Sequence, residues 1–123
     1  MAKLVGPIID EMANALQLAA PETAVVTDPR NAAPPCYLLL PRQIVPRTFG
    51  NEGGVQLEVS VQAIAPGIGH GDALGWLDGA LATLWESIGR AEAQLVAYDS
   101  PQTGAALLAY ECVYRRHYDT KNL

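Results

Sequence analysis

The apolar positions change period along the chain, and each change marks an element. Val5, Ile8, Ile9, Met12 and Leu16 recur three and four apart, with Asp10, Glu11, Asn14 and Gln17 between them. This spacing predicts an amphipathic helix over 6–19. Pro7 suits its first turn, where a missing N–H costs nothing. After Pro21 the short run Ala24 to Thr27 reads as a strand. Residues 36–40, CYLLL, do not alternate, as expected of an inner strand covered on both faces. Pro34, Pro35 and Pro41 are expected to bound it, because proline inside a central strand removes a ladder hydrogen bond. From 41 to 54 the pattern gives way to Pro, Arg, Asn and paired Gly, which predicts a long connection rather than a tight hairpin. Residues 55–64 alternate most clearly, Val55, Leu57, Val59, Val61 and Ala63 against Gln56, Glu58, Ser60 and Gln62, and predict a strand with one wet face.

A second helix is expected over 72–89, with Asp72 as N-cap and Gly89 at its stop. Leu74, Leu77, Leu81, Leu84, Trp85 and Ile88 form its core stripe. At 100° per residue Trp76 falls off that stripe, while Gly75, Gly79, Ala82 and Glu86 line up on another side. Two interior glycines each cost about 1 kcal/mol of helix propensity. The first reading of them is close packing inside the monomer, and the alternative is a smooth face against another subunit. Strands are expected over 93–98 and 105–118, joined by a polar turn of hairpin length. In the last one Leu108, Tyr110, Cys112 and Tyr114 face one way, and Leu107, Ala109 and Val113 share the other face with Glu111 and Arg115. Neither face is cleanly polar, which predicts cover from outside the core. The order of elements predicts a single α+β domain over 1–123, two helices packed on one face of a mostly antiparallel, four- to five-stranded sheet.

Composition narrows the function classes. Half of the 123 residues are apolar, enough for one core, and 13 acids against 8 bases give a net charge of −5. That balance disfavours a nucleic-acid groove, which needs clustered Lys and Arg. No apolar stretch approaches a membrane span, and the N-terminus lacks a signal peptide's pattern, so a soluble, intracellular protein without a membrane partner is expected. Cys36 and Cys112 lie inside predicted strands with no metal spacing and are expected to be buried, reduced thiols.

Candidate chemistry is sparse. His70 and Asp72, two apart in a glycine-rich turn, would suit an oriented base, but no motif pairs them with a Ser or Cys nucleophile, and a solvated turn is the simpler reading. GIGHG lacks the Lys and Ser/Thr of a phosphate loop. His117 beside Arg115, Arg116 and Tyr118 reads as a solvated strand end or as an ion-pairing patch against an acidic surface. Asp78, Glu86, Glu92 and Asp99 have no spacing for a metal or an acid/base pair. No catalytic, cofactor-binding or metal residue is expected.

DPRNAAPPCYLLLPR, the long loop after it, the alternating strand, the helix LGWLDGALATLWESIG and the closing AYDSPQTGAALLAYECVYRR together resemble a tail terminator of long-tailed, siphovirus-type bacteriophages, in size and element order over nearly the whole chain. The resemblance implies a virion structural protein rather than an enzyme, assembled in the host cytoplasm and located at the neck end of the tail. It implies a ring of six subunits that caps the head-proximal end of the tail tube, stops its polymerisation and offers a docking surface to the head connector. Its partners would be itself, the tail tube protein and the head-tail connector proteins. Subunits of a ring meet head to tail, so each presents two different patches. Arg30, Arg42, Arg47, Arg115 and Arg116, with Gly75, Trp76 and Gly79, are the candidate contacts to a neighbour or to the tube. The competing readings are a head-completion or connector protein of the same neck, and a small enzyme or ligand-binding domain using His70.

Overall fold

The computed structural model describes residues 5–49, 52–67, 69–100, 104 and 106–119. In chain order it contains helix α1 (Val5–Ala19), strand β1 (Ala24–Val26), a 3-10 turn (Pro29–Asn31), β2 (Cys36–Phe49), β3 (Glu52–Ile64), helix α2 (His70–Ser87), β4 (Ala93–Asp99) and β5 (Ala106–Asp119). The strands form one sheet in the order β1-β2-β3-β5-β4, antiparallel throughout except for the short β1–β2 pair. This is the expected α+β fold, with one parallel pair in the sheet.

The pleat sorts side chains to two faces. Tyr37, Leu39, Leu57, Val59, Val61, Ala63, Cys112 and Tyr114 point to the face that carries both helices, where Ile9, Met12 and Leu16 of α1 and Leu77 and Leu84 of α2 complete the main core. Tyr37 is fully buried there, and its hydroxyl donates to the Ala80 carbonyl of α2 at 2.8 Å. Burial pushes its phenol up to about 12. Tyr37→Phe should lower unfolding free energy by about 1 kcal/mol in urea denaturation, the net worth of one neutral hydrogen bond. Trp76, off the leucine stripe as expected, is half-buried, with its ring centroid 6.5 Å from that of Tyr37.

On the other face Ala32, Cys36, Leu38, Ile64 and Ala109 form a second small cluster. Cys36 and Leu38 face one cluster while Tyr37 and Leu39 face the other, so the unalternating CYLLL run is buried on both sides as expected. The last strand is sorted as expected too, with Leu108, Tyr110, Cys112 and Tyr114 toward the helices and Leu107 and Ala109 toward the second cluster.

Three expectations are corrected. Residues 41–49 and 52–54 are strand, not connection: β2 and β3 make one long hairpin, paired from Cys36↔Ile64 to Phe49↔Glu52. Pro41 therefore lies within β2 rather than bounding it, and Pro46 lies within it as well. They are tolerated because β1 pairs with β2 from Cys36 to Leu38, and among the described residues no strand pairs with the outer edge of β2 beyond it, where a donor is not needed. Helix α2 begins at His70 with Gly69 as its N-cap and no side-chain cap bond, so Asp72 lies in the first turn instead of capping it. The expected wet face of β3 is not wet at its centre, where Glu58 and Ser60 are both buried. The stop of α2 is as read, Gly89 following the C-cap Ile88 with φ +130°, a conformation that suits glycine.

Candidate functional site

Among the described residues, the sheet continues as three strands beyond the ends of both edge strands. β1 reaches no further than Leu38 on β2, and β4 no further than Cys112 on β5, yet β2, β3 and β5 run on together to Phe49, Glu52 and Asp119. Four of the chain's six arginines, Arg42, Arg47, Arg115 and Arg116, lie on this arm.

Arg42, expected in a loop, is the extra residue of a β-bulge. Pro41 pairs with Val59 and Gln43 with Glu58, leaving Arg42 with no residue opposite. A bulge turns the side chain out of regular alternation, and here it carries the Arg42 Nη1 to 3.1 Å from Glu58 Oε2. Arg115, directly across from Glu58 on β5, reaches Oε1 through Nε, also at 3.1 Å. One carboxylate, 10 % exposed, is thus gripped by two guanidiniums that are 54 % and 62 % exposed. One step along the same face, Glu111 accepts from Ser60 Oγ at 2.8 Å and Gln62 Nε2 at 3.4 Å. These pairings explain how Glu58 and Ser60 can be buried on a sheet face without helices: the carboxylate and the hydroxyl removed from water each have a partner.

Arg116 points to the helix side. It donates to the carbonyls of Ile88 and Arg115 and lies 5.5 Å over the Tyr114 ring. Arg90, in the connection after α2, lies 5.9 Å over the Trp85 ring. Arg42, Arg90, Arg115 and Arg116, with Glu92 and Glu111, line a cleft of about 710 Å³ at the step where β4 ends. Arg90 is not found by sequence reasoning, because the connection after α2 and the β2 and β5 residues that line the cleft with it come together only in the fold.

The other candidates fall elsewhere. Arg30 is 88 % exposed and holds its own turn, its guanidinium 2.9 Å from the carboxylate of Asp28, which in turn accepts from the Arg30 backbone N–H. The hydrogen bond from the Arg30 guanidinium holds the Asp28 carboxyl below its ordinary range. Arg47 pairs with Gly54 in the arm, and its side chain lies outside the described residues. Gly75 and Gly79 are exposed, and a Cβ built on either would meet nothing within 4 Å, so the first reading of them, close packing inside the monomer, is overturned. They floor an open groove of about 500 Å³ beside Trp76, Thr83 and Glu22.

For the reading based on His70, the residue opens α2 and its side chain lies outside the described residues, while Asp72 is exposed. Among the described residues no group of His, Cys, Asp and Glu is placed to hold a metal ion, and no helix is long and apolar enough to cross a membrane. Cys36 and Cys112 are buried and free, as expected. Burial pushes the Cys36 thiol up to about 11 and the Cys112 thiol upward as well. Since only the thiolate alkylates readily, iodoacetamide at pH 8 should label native protein slowly and urea-unfolded protein fast, the rate following the unfolded fraction; fast labelling of the native state would contradict their burial.

No family model matches the sequence, and comparison with curated proteins gives no match.

Proposed function

We propose that this chain is a structural subunit of a phage tail, a tail terminator that assembles into a ring of six at the head-proximal end of the tail tube. The observation that carries the reading is the three-stranded arm with its arginine cleft. It is a long, laterally paired projection built for contact, on a two-helix, one-sheet body of the size and element order expected for that family. The arginines support assembly rather than catalysis. Arg42 and Arg115 are fixed by a buried carboxylate yet remain more than half exposed, which orients their free donors toward a partner. Arg is favoured where carboxylates are bound across an interface. Stopping tube growth and receiving the head connector follow from the position of such a ring, and its location in the virion neck from the same premise.

Negative-stain imaging and sedimentation equilibrium of the purified chain, alone and with tail tube protein, test the proposal. Rings of about six subunits that cap tubes and hold their length constant are expected. A chain that stays monomeric in both conditions, or rings that leave tube length unregulated, would remove the terminator reading. A ring that binds only head connector proteins would favour the neighbouring connector role.

A further inference from the structure

We infer that the arginine cleft is one half of a head-to-tail contact between copies of this chain, its occupant the outward side of α2 of the next copy. The inference rests on the ring reading and names the contact that closes it. Among the described residues nothing pairs with the outer edge of β5 from Val113 to Asp119, because β4 ends opposite Cys112. An open strand edge is a template for other chains, and proteins commonly cover such an edge with a helix.

The cleft beside that edge offers donors in excess. Arg42 and Arg115 each reach Glu58 through a single nitrogen, leaving the rest of each five-donor fork directed elsewhere. Arg90 and Arg116 meet aromatic rings and backbone carbonyls, and among the described residues neither forms an ion pair with a carboxylate. Of the two acids in the lining, Glu111 is already bound to Ser60 and Gln62.

The outward side of α2 has the opposite character. Asp72, Asp78 and Glu86 are exposed there with no base among them, separated by Gly75, Gly79 and Ala82, also exposed. No neighbour in the same copy requires the glycines to be small. Their cost to the helix, about 1 kcal/mol each, is accounted for if a neighbour's backbone must approach closely. Asp78 lies ten residues, about 15 Å of helix rise, before the C-cap Ile88 whose carbonyl accepts from Arg116. The acidic and basic patches share no residue, so the contact is heterologous and can close into a ring.

Two full-length variants test the contact, Arg90→Glu/Arg116→Glu in the cleft and Asp72→Arg/Asp78→Arg on the helix, each first checked by circular dichroism and urea denaturation. In sedimentation velocity at about 100 µM, the wild type should associate and each variant alone should associate about tenfold or more weakly, because like charges then face each other. An equimolar mixture should recover association, since acid again meets base at every contact. Because Arg116 also holds the end of α2, Arg90→Glu alone serves as a second cleft variant. A mixture that fails to recover, a variant that associates like wild type, or a monomeric wild type overturns the contact. Association of the variants through other surfaces would remove this contact and leave the ring reading. Association through this contact without effect on tube length would do the reverse.

Discussion

The double variant Gly75→Gln/Gly79→Gln should withstand more urea than the wild type and yet lose self-association. Both glycines are exposed within α2, and neither has any atom within 4 Å of where a Cβ would sit. In the isolated subunit the substitutions therefore relieve only a propensity cost, for a gain of about 0.5 kcal/mol each. If these glycines instead filled a tight place in the monomer, two added side chains would destabilise it by several kcal/mol. On a contact face they would hold the neighbouring subunit off by the length of a side chain. Urea midpoints at dilute concentration and sedimentation at high concentration read the two effects separately. Greater stability with association unchanged would take the glycine side of α2 out of the interface.

The sequence displayed the body of this fold and concealed its arm for a physical reason. Hydrophobic periodicity records burial, and in the body each element has a buried side: the leucine stripe of α2, the alternation of 55–64 and the unalternating CYLLL run all lie against a core. Residues 41–46 are strand with little of that reward. Ile44 is exposed, Pro41 and Pro46 interrupt donors that the open edge of β2 does not use, and the bulge at Arg42 shifts the register by one. A reader of local signals sees proline and arginine in a polar stretch and concludes loop. The pairing that makes it a strand comes from β3, and β3 is held in turn by β5, more than fifty residues away. The same non-locality hid the site. Arg42, Glu58, Arg90 and Arg115 share no motif in the sequence, and only the sheet register and the turn after α2 bring them together. Glu58 in particular looked like one of four interchangeable polar residues on a wet face, because the charges that offset its burial come from two arginines on neighbouring strands.

That dependence has a measurable signature. Removing one arginine should cost little, about 0.5 kcal/mol, since each is more than half exposed and the other still faces Glu58. Removing both in Arg42→Ala/Arg115→Ala strands a carboxylate that is only 10 % exposed. The loss should reach about 2 kcal/mol, below the 3–5 kcal/mol typical of fully buried pairs because solvent still reaches this one. The double loss then exceeds the sum of the single losses, the mark of a shared partner. Adding Glu58→Gln to the double variant should return about 1 kcal/mol, because a neutral amide is cheaper to leave without a charged partner. Urea denaturation of the wild type and the four variants checks the cycle, and strictly additive single losses with no recovery from Glu58→Gln would mean that water, not the arginine pair, satisfies Glu58. The same cycle separates the two duties of these arginines. Glu58→Gln alone keeps all four cleft guanidiniums but releases two of them from their anchor. If the buried carboxylate serves to aim them at a neighbour, this variant should keep its fold and weaken association less than Arg90→Glu does, a looser grip with the charge still in place.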